Sequence, residues 1–245
     1  MGISYGRPTI ARGGKGIKYT ENGDIYGMHI FYSSDFFVLL EDRTCDYLIV
    51  AGGGSGCRGN NGPAGGGAGG LILTSSNITK GAYSVVIGAG GIGTANYLSY
   101  NGNDSSCFDL TAIGGGGAGR SGYPGKDGGS GGGNSYYLNV SSSYGGVALQ
   151  PSSNPGIGYG APITRRTSSM PRGGGAGGEQ PGANYFDGLT VWGNVYGIGG
   201  FNYNTNGPGR ANTGDGGGGV SGLVAAPNNV ATNGGSGIVI IRYQI

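Results

Sequence analysis

Short apolar runs alternate along this chain with glycine-dominated tracts, and the runs have the length and make-up of β-strands. From Tyr26 to Leu40, β-branched and aromatic residues cluster on either side of Ser33-Ser34-Asp35, which predicts two strands joined by a turn. CDYLIVA, Cys45 to Ala51, predicts a third strand. Further short strands are expected at Leu71–Thr74, Tyr83–Ile87 and Phe108–Ile113, and a last one at Gly237–Tyr243. Nowhere do apolar residues recur at helical spacing, and each glycine would cost a helix about 1 kcal/mol. Essentially no α-helix is expected.

The tracts at 52–56, 65–70, 88–93, 114–119, 128–133, 173–178, 214–219 and 234–237 are mostly glycine. Longer polar stretches rich in aromatics lie between them, at 97–106, 134–170, 183–206 and 224–233. This is a quasi-repeat without a fixed period, so no named solenoid applies. Residues 1–25 are polar and read as an N-terminal arm or docking segment. Residues 26–245 read as one glycine-rich domain with loops at its far end.

Composition changes the picture, because 63 of the 245 residues are glycine. Disordered chains are usually highly charged and poor in aromatics. This one is 11% charged and carries 17 Tyr, 6 Phe and 1 Trp, so glycine reads as a building material. A threefold extended helix of the polyproline II type has about three residues per turn and no internal hydrogen bonds. Such helices can bond to one another laterally if no Cβ holds their backbones apart. An ordered glycine costs roughly 0.5–1 kcal/mol relative to alanine, and a net hydrogen bond returns roughly 0.5–1.5 kcal/mol. The bundle therefore holds only if nearly every backbone group is paired. The expected fold is irregular and all-β: short strands plus a layered sandwich of packed polyglycine II helices.

Several function classes are disfavoured. The formal net charge is +2 and no basic stripe occurs, so no nucleic-acid partner is expected. No apolar run reaches the roughly 18 residues of a membrane span, and no membrane insertion is expected. Residues 1–20 lack the apolar core of a secretory signal. Cys45, Cys57 and Cys107 are too few for a disulfide framework, and a metal site or a nucleophilic triad would have to use His29, the only histidine. Gly54–Gly59 and Gly88–Gly93 both match GxGxxG after a strand, but neither leads into a helix-forming sequence. No P-loop occurs, since Gly16 follows Lys15 and Asp127 follows Lys126. No catalytic activity, cofactor or metal is expected.

The spelling of strand and glycine tract together is distinctive. CDYLIVAGGGSG, GPAGGGAGGLI, YSVVIGAGGIG, LTAIGGGGAG, RANTGDGGGG and the terminal GGSGIVIIRY occur in that order. Together they resemble the glycine-rich domain of bacteriophage tail-fibre tips, and in particular the distal adhesins of T-even-like phages. The resemblance covers about residues 26–243. It implies a polyglycine II sandwich whose exposed loops select the host receptor, and a place in the virion at the tail-fibre tip. The implied partners are a bacterial outer-membrane protein or surface glycan, and the tail fibre, reached through the N-terminal arm. A homotrimer is left open. Only about 25 residues precede the domain, where the longer T-even adhesins have a larger attachment region.

Carried onto this chain, the loops hold the binding residues Tyr97, Tyr100, Tyr136, Tyr137, Tyr144, Tyr159, Tyr185, Phe186, Trp192, Tyr196, Phe201 and Tyr203. Aromatics among small polar neighbours make adaptable contacts at low entropic cost. Tyr136, Tyr137, Tyr185, Phe186 and Trp192 are the preferred contact residues, and about half of the set is expected to cap the glycine bundle instead. Two other readings remain open. An ice-binding protein would need a flat face, against which the long aromatic loops argue; a structural fibre or shell component would tolerate loop deletion.

Overall fold

The apolar runs YLIV and IVII lie side by side at the centre of the main sheet. The structure, a computed structural model, describes residues 3–4, 10–59, 63–95, 98–120, 123–134, 144–150, 156, 173–175, 187–200, 207–221 and 230–245. Its strands begin with β1 (Ile3–Ser4), β2 (Ala11–Arg12), β3 (Lys15–Glu21), β4 (Asp24–Phe31), β5 (Asp35–Leu39), β6 (Arg43–Val50), β7 (Arg58–Gly59) and β8 (Leu71–Ile78). They continue with β9 (Gly81–Val85), β10 (Ser105–Cys107), β11 (Leu110–Ala112), β12 (Leu189–Val191), β13 (Asn194–Tyr196), β14 (Val220–Ser221) and β15 (Ile238–Gln244). No α-helix occurs among the described residues. The fold is all-β and irregular, as expected.

The main sheet has the order β1-β3-β4-β15-β6-β8, with antiparallel neighbours throughout. Side chains alternate between its two faces. Cys45, Tyr47, Ile49, Val239, Ile241 and Tyr243 point one way, into a core shared with Phe37 and Leu39 of β5 and Val85 of β9. Leu48, Val50, Ile238 and Ile240 point the other way, under the β12–β13 hairpin. Burial on both faces explains why the two central strands read as unbroken apolar runs. The turn at Ser33-Ser34 carries the chain from one sheet to another: β5 pairs with β2 and β9, not with β4.

Within the opening segment, residues 1–25, β3 pairs along its whole length with β4, from Lys15↔Ile30 to Glu21↔Asp24. Lys15, Lys18, Thr20 and Glu21 disguise the strand in sequence. Its alternating Ile17 and Tyr19 and the Asn22-Gly23 turn, both residues at positive φ, are the signals of a two-residue hairpin.

Beyond the sheets the glycine tracts run as extended rods. In the 51–57 rod, the amides of Ala51, Gly54 and Cys57 donate to the carbonyls of Gly70, Gly67 and Ala64. Those of Gly52 and Ser55 donate to Asn103 and Tyr100, and those of Gly53 and Gly56 to Gly235 and Thr232, at 2.8–3.1 Å throughout. Every third residue thus faces the same neighbour, the repeat of a threefold helix. The carbonyls follow suit: Gly52 and Ser55 accept from Gly115 and Ala118, Gly54 and Cys57 from Gly217 and Val220, and Gly53 from Gly91. Six segments therefore surround this rod, and each of its residues is buried. The 64–70 rod is bonded in the same manner to the 113–116, 214–217 and 130–133 tracts, and to Gly174 and Gly200. This is polyglycine II packing.

Glycine is present in these rods for its missing Cβ, not for its freedom. None of the glycines of 52–56 and 66–70 has a positive φ. A Cβ built on Gly54 would overlap the Gly116 carbonyl, and one on Gly56 that of Gly218.

Candidate functional site

The hydrogen-bond register sorts the rods into two ends. Ala51, Gly70, Asn103, Ile113, Gly214 and Gly235 lie near one level, where β6, β8 and β15 join the rods. Cys57, Ala64, Tyr100, Ala118, Val220 and Thr232 lie toward the other. Among the described residues, stretches close toward that far end at Gly59, Ala95, Arg120, Asn134 and Ser221. The next described stretches open at Pro63, Leu98, Tyr123, Tyr144 and Val230.

One flank near this end is built from three successive segments. The 98–103 segment is tied to the 113–119 rod by Ser99 Oγ–H donating to the Ala118 carbonyl at 2.5 Å, and by the Gly117 amide donating to Asn101 Oδ1 at 3.0 Å. The 123–128 segment comes next: Asn101 Nδ2–H donates to the Asp127 carbonyl at 2.8 Å, and Lys126 Nζ–H to the Ser99 carbonyl at 2.6 Å. The 144–147 segment follows, with the Gly125 amide donating to the Tyr144 carbonyl at 2.9 Å and the Val147 amide to Asp127 Oδ1 at 2.7 Å. Every backbone is fixed, so the side chains project from a rigid base.

Those side chains are aromatic and cationic. Tyr100, Tyr123 and Tyr144 are 46%, 57% and 49% exposed. Lys126 Nζ lies 5.3 Å from the centroid of the Tyr100 ring, and the Arg120 guanidinium 4.1 Å from that of Tyr123. The arrangement offers flat apolar ring faces and two cations at fixed positions.

The residues expected from sequence divide three ways. Tyr100 and Tyr144 stand on this flank, exposed. Tyr97, Tyr136, Tyr137, Tyr159, Tyr185, Phe186, Phe201 and Tyr203 lie outside the described residues. Trp192 and Tyr196 belong to the sheet end. Tyr196 is buried against Leu48, Val50 and Ile240, and is not available as a contact residue. Trp192 packs partly against the same cluster, at the turn of the β12–β13 hairpin, with the Arg242 guanidinium 5.2 Å from its ring. Tyr196 caps this apolar face, and Trp192 covers part of it. Tyr123, Arg120 and Lys126 are not among the expected residues, because nothing in RSGYPGKDG marks the antiparallel bridge between Arg120 and Tyr123.

The glycine fingerprints have other work. The Gly54 and Gly56 amides are engaged by Gly67 and Thr232, and the Gly91 amide by Gly53. Cys57, inside the first match, donates its thiol proton to the Gly119 carbonyl at 2.7 Å, and burial pushes its pKa up to about 11. His29 is buried in the sheet end between Gly13 and Tyr243.

A family model for a glycine-rich domain matches residues 35–244. The chain belongs to this glycine-rich domain family. The match takes in all of the rods and the sheet strands from β5 onward, so the glycine-rich domain is defined by the lattice and its central strands together. No curated protein matches the chain.

Proposed function

We propose that this glycine-rich domain is a receptor-binding adhesin at the tip of a bacteriophage tail fibre, directed at a bacterial outer-membrane protein or surface glycan. The observation that carries the reading is the gathering of rod ends at the pole away from the sheet. A lattice whose register is fixed by backbone bonds can keep its form while exposed loops between its rods vary. Recognition can then vary while the scaffold stays constant. The exposed tyrosines on the flank near that pole supply contact chemistry of the kind found in binding loops. The resemblance of CDYLIVAGGGSG and GGSGIVIIRY to tail-fibre tip domains supplies the setting.

The test is exchange of residues 134–170 and 183–206 between related chains carried on otherwise identical particles. Host range is expected to follow the exchanged segments. If it stays with the scaffold, the proposal is wrong.

A further inference from the structure

We propose that the flank formed by Tyr100, Arg120, Tyr123, Lys126 and Tyr144 binds an acidic saccharide, with sugar rings stacked on the tyrosines and a carboxylate or phosphate held by Lys126 and Arg120. The inference rests on the adhesin reading and names the ligand class of one face.

The argument starts from the two cations. The ion pairs among the described residues belong to Arg43, Arg210 and Arg242. Lys126 and Arg120 have no carboxylate partner there. Lys126 is nonetheless held, by one bond to a neutral carbonyl and by the Tyr100 ring. Two of its three ammonium protons remain to be shared with a ligand. The nearest carboxylate along the chain, Asp127, is turned to the Val147 amide. The Arg120 guanidinium lies over the Tyr123 ring, a contact that holds the charge without consuming its hydrogen bonds. Both charges are thus positioned but not neutralised.

The rings point to a sugar as the carrier of the anion. Tyr100, Tyr123 and Tyr144 are each about half exposed and sit on neighbouring segments locked by backbone bonds. A rigid aromatic surface loses little entropy when a flat apolar ring face covers it. Pyranose rings have such faces, and acidic sugars join them to a carboxylate or phosphate. Exposed Leu98 borders the same segment and extends the apolar surface.

The experiment is calorimetric titration of the whole chain with a uronic-acid oligosaccharide, with the same oligosaccharide after its carboxylates have been reduced to alcohols, and with a phosphorylated oligosaccharide of equal length. Binding of the acidic forms is expected to exceed that of the reduced form by about tenfold or more, and to weaken as salt rises from about 0.05 to 0.5 M. Lys126→Gln and Arg120→Gln should each weaken the acidic forms about tenfold and leave the reduced form unchanged. Tyr123→Ala should weaken all three. Lys80→Gln, a cation at the sheet end, should change nothing. An unchanged melting temperature shows that each variant is folded. Equal binding of acidic and reduced forms, no binding of any, or indifference to Lys126→Gln overturns the proposal. If host range follows the exchanged segments while no acidic sugar is bound, this inference fails and the adhesin reading stands; if neither holds, both fail.

Discussion

The Gly54 amide donates to the Gly67 carbonyl at 2.8 Å, and the Gly54 carbonyl accepts from Gly217 at 2.9 Å, with no room between the three rods for a side chain. Gly54→Ala would drive a methyl into the Gly116 carbonyl and push neighbouring rods apart. Overpacking of a tight core costs about 1–3 kcal/mol and occasionally more, and here the lost hydrogen bonds add to it. A loss of about 3 kcal/mol or more is expected. Gly207, exposed, without positive φ and with nothing near its missing Cβ, is the control. Gly207→Ala should shift stability by less than about 0.5 kcal/mol. Urea unfolding of the two variants checks the contrast, and equal effects would remove the lattice from the explanation of stability.

The role of the glycines was legible in sequence, but their pairing was not. Nothing in GGGSG says that Gly54 meets Gly67 while Gly53 meets Gly235. Each bare backbone is compatible with every other, and the register is set by the strands to which the rods are joined. Those strands were legible where burial on both faces made an apolar run, as in β6 and β15. They were missed where a single face is covered, as in β3 and in the β12–β13 hairpin. The same ambiguity governs the site. Tyr100, Tyr144 and Tyr196 look alike in sequence, since each is an aromatic in a polar stretch. Only the third dimension separates the two exposed rings from the buried one.

Arg242 ties the sheet end together. It pairs with Glu21 and with Asp46 at 2.9 Å each, donates to Tyr19 Oη at 3.3 Å, and lies 4.9 Å from the Tyr26 ring and 5.2 Å from that of Trp192. Arg242→Gln should destabilise the protein by about 1–2 kcal/mol, a range kept low because both carboxylates are partly exposed to solvent. Trp192 is the only tryptophan, so its emission reports the hairpin locally. A shift to longer wavelength is expected in the variant. Unchanged emission would show that the cation does not seat the hairpin.

His29 links the two ends of the chain. Its Nδ1–H donates to the Gly13 carbonyl at 2.7 Å, which leaves Nε2 to accept from the Tyr243 hydroxyl at 3.1 Å. Burial lowers its pKa below the usual 6.5, although the Gly13 carbonyl opposes the shift. The unfolded chain therefore takes up a proton below pH about 6.5 that the native protein refuses. Stability is full above that pH and falls as the pH drops, by at most about 1.4 kcal/mol per pH unit from this residue. His29→Gln should flatten the profile just below pH about 6.5. A profile with the same slope in the variant would assign the acid sensitivity elsewhere.

The three thiols respond to the opposite end of the scale. Cys45, Cys57 and Cys107 are buried, and burial pushes their pKa values up from 9.0 to about 12, about 11 and about 12. Cys57 is held hardest: its thiol donates to Gly119, while its sulfur accepts the Ala64 amide at 3.2 Å where two rods end. In the unfolded chain all three release their protons near pH about 9, so above that pH the native state binds more protons and stability must fall. The stabilisation is complete below pH about 9 and is lost as the pH rises through the native values. Thiolate is also the reactive species. Iodoacetamide at about pH 8 is therefore expected to leave all three unmodified in the native protein and to modify all three in urea. Rapid native labelling of Cys57 would mean that the rod ends open readily, and the lattice would then be far less rigid than its bonds imply.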